Sequence, residues 1–395
     1  SGNIGFPGFD GMQAPVSLSY VAAMQEHGIP VTYAYISAAH ETTQTGNAFG
    51  PGQAAYVRKL ASYDNAFATF FARLAHDGIN QSNTLFVFTA DEGDHFVGGP
   101  PSPQGCNGVT TPCTYQHIGE FDGNLTGLLA TQQGITTPFA VHADAAPVFY
   151  LTGKPARGAP VTRNFERAVG KLTAKNPLTG QTDVLTRYMA DPVEMQLLHM
   201  ITADPARTST FTMFANPNYY LFTGAPNCHT PCIQEFPPEA WNHGDVNPDI
   251  NTTWLGMVGP GVKQLGVVNS IWSDHTDTRP TMLTLVGLHD DYIHSGRTLF
   301  EVLQDWAVPS SLLQHRADLT QLAQVFKQIN ACVGELGLDS LKISTTALES
   351  QSPGDKTYNQ IETKLGEITA QRDDIAQKMV ILLEEAEFNN QPINI

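Results

Sequence analysis

Positive charge is scarce in this sequence. The 395 residues include 21 lysines and arginines but 38 aspartates and glutamates, which gives a formal net charge of −17. Such a negative field repels nucleic-acid backbones and anionic membrane surfaces. The composition therefore argues against a protein that wraps nucleic acid. It also means that a site for a phosphate-bearing substrate would need local positive charge, most simply a metal ion.

Long hydrophobic runs are missing as well. No stretch of 18 apolar residues occurs, so we predict no membrane span. No signal peptide is visible, although Ser1 could follow a processed end. Charged residues make up 15% of the chain and hydrophobic residues 41%. These values are typical of a globular protein with a large core, and we expect one large α/β domain with an appendage.

Cysteines are few, and their spacing is informative. The five are Cys106, Cys113, Cys228, Cys232 and Cys332. The spacing favours two short-loop disulfides, 106–113 and 228–232, which indicate a periplasmic or secreted protein. The alternative is a metal site built from Cys228, His229 and Cys232, but this spacing is not that of a zinc ribbon. We expect Cys332 to be a buried free thiol.

The most informative stretch is an apolar run followed by a cluster of polar side chains. Residues 84–90 are apolar, β-branched and aromatic, and they predict a strand buried on both faces. Asp91, Glu92, Asp94 and His95 follow directly. Ligands bind beyond the carboxyl ends of strands in open α/β sheets, and carboxylates and imidazoles are common metal ligands. The sequence therefore predicts a metal site here, with a solvated acidic turn as the alternative.

A second candidate position precedes this stretch. Residues 30–36 predict a strand, and His40 follows it. Residues 53–77 have the apolar periodicity of a long amphipathic helix. Together with residues 84–90, these elements predict a right-handed parallel crossover that brings His40 and the 91–95 loop to one edge of a sheet. An ordinary loop histidine is the alternative interpretation of His40.

The C-terminal part of the chain has a different character. Residues 319–330, 338–348 and 356–388 have helical patterns, and a Pro-Gly turn at 353–354 separates the last two. Apolar residues in the last segment form a seam that is typical of a helical hairpin packed on the body or of a dimerisation element. We predict an α/β domain over residues 1–305 and a helical extension over residues 306–395, with a homodimer through these helices as one expectation.

The order of motifs resembles the alkaline phosphatase superfamily, particularly its phosphodiesterase and nucleotide pyrophosphatase branch. The resemblance covers roughly residues 16–305, and the combination of motifs is more specific than any one of them. The matching segments are Thr89-Ala90-Asp91-Glu92-Gly93, His243-Gly244, Val258-Gly259-Pro260-Gly261 and Asp277-Thr278-Arg279-Pro280-Thr281. The resemblance implies a mostly parallel sheet sandwiched between helices.

The resemblance also implies an activity, the hydrolysis of small phosphate monoesters or diesters. Divalent metal ions, most simply zinc, with manganese, iron or calcium as alternatives, would stabilise the charge that develops during phosphoryl transfer. The expected metal ligands are Asp91, Glu92, His95 and His243, with His40 as a weaker fifth. Asp94 could orient a ligand imidazole.

The sequence departs from the family pattern in three ways. Glu92 stands where histidine is commonest, although the acid phosphatase and phospholipase C branch has Asp-Glu there. Ala38 occupies the position of a carboxylate expected before His40. The Asp of the family's first strand and the Ser or Thr nucleophile are not found, so we expect them upstream of Ser1 and assign no catalytic residue.

Other functions stay open at this point. A catalytically degenerate binding protein that retains the fold is one alternative, and a sulfatase or phosphomutase of the same superfamily is another. A calcium-stabilised lectin-like domain has only the acidic loop in its favour.

Overall fold

The computed structural model describes residues 12–37, 46–292 and 294–391, so Ala38 and His40 lie outside the described residues. The α-helices in the described part are α1 (Ala14–Glu26), α2 (Ala54–His76), α3 (Leu125–Gln133), α4 (Pro160–Val169), α5 (Pro192–Leu197), α6 (Pro248–Asn251), α7 (Thr278–Val286), α8 (Ser310–Gln314), α9 (Arg316–Asn330), α10 (Glu335–Glu349) and α11 (Lys356–Phe388). Short 3₁₀ turns lie at His275–Asp277, Phe300–Val302, Asp305–Ala307 and Pro353–Asp355.

The strands are short, and most of them pair antiparallel. They are β1 (Phe86–Thr89), β2 (His95–Phe96), β3 (Glu120–Asn124), β4 (Phe139–His142), β5 (Val148–Leu151), β6 (Thr173–Lys175), β7 (Thr182–Val184), β8 (Thr186–Ala190), β9 (Phe211–Ala215), β10 (Tyr219–Phe222), β11 (Ile233–Phe236), β12 (Trp241–Asn242) and β13 (Leu255–Val258). The described sheets have two to four strands, and β3 with β10 is a parallel pair.

The fold class predicted from the sequence is therefore wrong. Over the described residues the protein is a mixed α/β structure with small antiparallel sheets, in which 42% of these residues are helical and 15% lie in strands. This part of the chain contains no large parallel sheet sandwiched by helices. A continuous apolar run favours a buried parallel strand, but this is only a tendency, and nonlocal contacts decide the partner and its direction.

The predicted parallel crossover shows where this reasoning failed. Residues 30–36 are not a strand in the structure, and the side chains of Val31 and Tyr33 are 83% and 89% exposed. Strand β1 pairs instead with β13, antiparallel, with Phe86 opposite Val258. It is not buried on both faces either, because Thr89 is exposed.

Residues 118–132, which the sequence predicts as a single helix, are divided in the structure. The first part is strand β3, and the helix α3 begins only at Leu125. Asn124 lies at the boundary, and its side-chain oxygen accepts a hydrogen bond from the backbone N–H of Gly127 at 3.2 Å. An asparagine in this position satisfies one of the unpaired N–H groups of the first turn, so it starts the helix there.

The main core lies around the four-stranded sheet β4-β5-β9-β8, against which α4 and the C-terminal helices pack. Phe149 and Phe211 are fully buried, and their rings stack with centroids 4.5 Å apart. Phe165 of α4 meets both rings edge to face. Burying one such side chain contributes roughly 2–3 kcal/mol, so this aromatic cluster is a major stabilising feature.

The prediction of a helix over residues 356–388 is confirmed as α11. Its buried residues include Tyr358 and Leu365, and it packs against α9, α10 and α5. Ile375 and Leu382, which belong to the predicted seam, are 49% and 42% exposed. Because α11 packs against α9, α10 and α5, it contacts the body through most of its length, although part of the predicted seam is exposed. A homodimer through these helices stays a prediction.

Both predicted disulfides are present, Cys106–Cys113 and Cys228–Cys232. The cysteines of the alternative Cys/His metal site are thus covalently paired. Cys332 is exposed in the turn between α9 and α10, so the prediction of a buried thiol is wrong. Disulfides are compatible with an oxidising compartment outside the cytosol. Among the described residues, no helix is both long and apolar enough to span a bilayer.

Candidate functional site

A two-residue ladder brings the 91–95 loop to His243. Strand β2 pairs antiparallel with β12, so that His95 lies opposite Asn242. One step further along the same register, Asp94 lies opposite His243. Directly opposed residues of an antiparallel pair have neighbouring side chains. Accordingly, Oδ1 of Asp94 is 3.1 Å from Nδ1 of His243.

Glu92 approaches the other side of the same imidazole. Its Oε1 atom is 3.6 Å from Nε2 of His243. The loop that carries Glu92 is fixed by the backbone N–H of Gly93, which donates to the carbonyl oxygen of Ile250 at 2.8 Å. A Cβ atom on Gly93 would lie 2.5 Å from that oxygen, so only glycine permits this close approach. His243 is therefore held between two carboxylates.

The electrostatics of this group follow from that arrangement. The hydrogen bond to Asp94, together with the charges of Glu92 and Asp144, raises the pKa of His243 to about 9. Burial raises the pKa of Glu92, and His243 opposes that effect. At neutral pH and without a further cation, His243 is an imidazolium paired with carboxylates. With its proton on Nδ1 toward Asp94, the neutral ring would present a lone pair at Nε2, on the side of Glu92.

Asp144 is a neighbour of this group that the sequence reasoning missed. It lies in the loop between β4 and β5, and its backbone exchanges two hydrogen bonds with Leu221. Gly244 has φ +78°, and a Cβ atom there would lie 2.5 Å from Oδ2 of Asp144. Burial raises the pKa of Asp144, which His243 counteracts. No motif surrounds Asp144, so only the folded chain could reveal its position.

His95, which the sequence grouped with Glu92 and His243, faces the other way. Its Nδ1 atom is 2.5 Å from Oδ2 of Asp249, and its Nε2 atom is 2.9 Å from Oδ1 of Asn218. Successive side chains of a strand point to opposite faces, so His95 and Asp94 cannot both point at His243. The structure therefore does not bring His95 into the group around His243.

Asp91 is exposed, and its Oδ1 atom accepts a hydrogen bond from the backbone N–H of Glu92 at 3.2 Å. His40, the fifth residue of the predicted set, lies outside the described residues. Of the predicted ligands, Glu92 and His243 are thus the two that the structure brings together, with Asp94 oriented toward the same ring.

His275 is a second residue that the sequence reasoning missed. Its Nε2 atom is 2.8 Å from the carbonyl oxygen of Ala90 and 3.1 Å from Oγ1 of Thr89, at the end of β1. It lies in the 3₁₀ turn His275–Asp277, which leads into α7. The adjacent Asp274 accepts a hydrogen bond from the backbone of that turn and forms a capping box with Asp277. The same segment therefore also stabilises the start of the turn.

An open groove of about 1220 Å³ begins at the same end of β1. Thr89 and His275 line it together with Asn251 and Trp254, and its far end reaches Val302. The side chain of Trp254 is 60% exposed. Asp91, Glu92 and His243 do not line this groove, so it adjoins the end of β1 without including the group around His243.

The fit of a metal ion can be tested on distances. Two ligand atoms on one tetrahedral zinc ion, each about 2.1 Å from it, lie about 3.4 Å apart. The 3.6 Å between Oε1 of Glu92 and Nε2 of His243 is close to this value. Within residues 12–37, 46–292 and 294–391, however, no three His, Cys, Asp or Glu side chains are arranged to hold an ion together. Among the described residues, Glu92 and His243 are thus spaced as two ligands of a metal ion would be, and no third ligand joins them.

Comparison with known proteins adds no family assignment. No protein-family model matches the sequence, and the search of curated proteins found no significant match.

Proposed function

We propose that this chain contributes metal ligands to a phosphoesterase, an enzyme that hydrolyses small phosphate monoesters or diesters. The observation that carries the proposal is the placement of His243 between Asp94 and Glu92, just beyond strand β1. The motif order that resembles the alkaline phosphatase superfamily also supports it. The metal, zinc in the simplest case, would supply the positive charge that this acidic protein needs to bind an anionic ester.

The residues of the chain have distinct roles in this proposal. Glu92 and His243 would hold the ion, and Asp94 would keep the proton on Nδ1 so that Nε2 stays available. Asp91, the exposed neighbour of Glu92 along the chain, would be a further ligand. The resemblance expects a Ser or Thr hydroxyl to attack phosphorus, and we assign this role to none of the described residues. The two disulfides favour a periplasmic or secreted location for such an enzyme.

Metal binding tests the proposal directly. Equilibrium dialysis of the purified protein against zinc, followed by elemental analysis, should find about one ion per chain in the wild type. Glu92→Gln and His243→Gln should each lose most of that binding. Asp339→Asn, which alters an exposed carboxylate paired with Lys342, is the matched control and should bind normally.

Activity gives the second readout. Full-length protein should hydrolyse p-nitrophenyl phosphate or its diester, a chelator should abolish the reaction, and added zinc should restore it. Activity that resists chelators, combined with less than one ion per chain, would refute the proposal.

A catalytically inactive relative that retains the site as an ion-pair cluster is the second candidate. It is favoured by the observation that both ring nitrogens of His95 are taken by Asp249 and Asn218. In this case the wild type and the Glu92 and His243 variants would show equally weak zinc binding. The same dialysis experiment therefore separates the two functions.

A further inference from the structure

The junction between helix α11 and the body contains an unusual set of buried charges. We refer to it as the junction cluster, and it consists of Arg157, Arg163, Glu166, Arg167, Asp191, Asp355, Tyr358 and Glu362. The side chains of Arg163, Glu166, Asp191 and Glu362 have no solvent exposure. These groups come from α4, from the N-terminus of α5 and from the first two turns of α11, so they lie where three elements meet.

Most members of the cluster have clear partners. Arg163 pairs with Glu166, donates to the carbonyl oxygens of Ala347 and Leu348 at 3.1 Å, and lies 3.6 Å from the ring centroid of Tyr358. Arg167 pairs with Asp355. These contacts attach α4 to the end of α10 and to the start of α11.

Asp191 is the acceptor at the centre of the cluster. Its Oδ2 atom accepts from the hydroxyl of Tyr358 at 2.7 Å and from Nη1 of Arg157 at 3.3 Å, and its Oδ1 atom accepts from the backbone N–H of Val193. Glu362 lies on the same guanidinium nitrogen, because Nη1 of Arg157 is 3.3 Å from Oδ2 of Asp191 and 3.6 Å from Oε2 of Glu362. No hydrogen-bond donor reaches either Glu362 oxygen in the described structure, and the nearest guanidinium nitrogen, on Arg157, is 3.6 Å away.

Charge counting shows what is missing. The cluster has four carboxylates, on Glu166, Asp191, Asp355 and Glu362, but only three guanidinium groups. Glu194, which feels the charges of Asp191 and Arg372, adds a further carboxylate, and the guanidinium of Arg372 is itself paired with Asp373 at 2.7 Å. An unpaired carboxylate in such a place is costly, so it binds a proton instead. One proton both neutralises the cluster and supplies the donor between the two carboxylates.

We propose that a proton shared between Asp191 and Glu362 attaches the first turns of α11 to the body, so that this attachment weakens as the pH rises. The sign of the pH dependence follows from the pKa of Glu362. Burial, followed by the charge of Asp191, raises the pKa of Glu362 above its ordinary value. The folded chain therefore retains a proton that the unfolded chain has lost, and stability falls with rising pH from about pH 5 upward.

The test compares the wild type with Glu362→Gln in urea unfolding experiments at several pH values. Gln can donate an amide N–H to Asp191 and cannot ionise, so it mimics the protonated acid. The ratio of the wild-type to the variant unfolding constant should rise about tenfold per pH unit between pH 5 and 8, which is the value for one proton. Glu367→Gln, on the exposed side of α11, is the matched control and should leave the pH dependence unchanged.

Hydrogen exchange locates the effect. After correction for the intrinsic exchange rate, amides of residues 356–366 should lose protection as the pH rises from 6 to 8 in the wild type but not in Glu362→Gln. If Glu362→Gln does not fold, Asp191→Asn is the second variant, because Asn still caps α5 and should show the same reduced pH dependence. A ratio that stays constant with pH, or protection that changes equally in both proteins, would overturn the proposal.

Discussion

Lys327 offers a sharp test of how the structure is held together near the candidate site. Its side chain is fully buried, and its ammonium lies 2.9 Å from Oδ2 of Asp274 and 2.9 Å from Oδ1 of Asp277. It also donates to Thr276 and to the carbonyl oxygen of Ser295. Lys327 thereby ties α9 to the turn that presents His275 to the end of β1.

Lys327→Met retains the volume of the side chain but removes its charge. Asp277 is also fully buried, so the substitution leaves an uncompensated carboxylate in the interior, which costs about 3–5 kcal/mol. That loss is a large fraction of a typical unfolding free energy of about 5–15 kcal/mol. Burial raises the pKa of Asp277, and Lys327 opposes this. Without the lysine, Asp277 can bind a proton in the folded state at low pH, so the loss should be smaller at pH 5 than at pH 8.

Urea unfolding at both pH values measures the effect, and Asp277→Asn combined with Lys327→Met completes a double-mutant cycle. The double variant should be more stable than Lys327→Met alone, because the buried charge is gone. Lys342→Met removes an exposed partner of Asp339 and should have no measurable effect. A loss below about 1 kcal/mol for Lys327→Met, independent of pH, would refute the reasoning.

Three further predictions concern single positions. Gly244→Ala should destabilise the protein by about 1–3 kcal/mol more than Gly134→Ala in urea unfolding, since both have positive φ but only the first would place a Cβ atom 2.5 Å from a carboxylate oxygen. Equal losses would contradict this. Replacing Cys106 and Cys113 together by serine should lower the unfolding free energy by about 2–3 kcal/mol, as expected for a loop closed over 7 residues. Thermal and urea unfolding of oxidised protein would measure it, and no loss would argue that this loop is ordered without the bond. Phe149→Ala should cost about 3–5 kcal/mol in the same assay because the ring is fully buried, and a loss near zero would exclude the stacked core.

Local signals in the sequence were sufficient for several elements. The long helices over 54–76 and 356–388 follow from apolar periodicity of about 3.6 residues and from glycines or turns at their ends. The disulfides follow from short cysteine spacings. Helix α3 begins later than the sequence predicts, because Asn124 caps it and the preceding Glu120–Asn124 segment pairs as a strand with β10 and β11.

The candidate site was predicted in part. Glu92 and His243 could be named because each lies in a recognisable motif, and the structure brings them within 3.6 Å of each other. Whether they bind metal stays a prediction. Asp144 and His275 could not be found, because nothing in their local sequence marks them. His95 is predicted to join Glu92 and His243 but does not, because adjacency along the chain does not show which face of a strand a side chain occupies.

The sequence by itself determined where the long helices α2 and α11 begin and end, which cysteines are close enough to pair, and which segments concentrate carboxylates and imidazoles. These properties depend on residues within a few positions of each other. Only the tertiary structure decided that β1 pairs antiparallel with β13 and that the register of β2 with β12 sets Asp94 opposite His243. Strand partners and register depend on contacts between residues more than 100 positions apart along the chain, and a shift of one residue would turn every side chain of a strand to the other face.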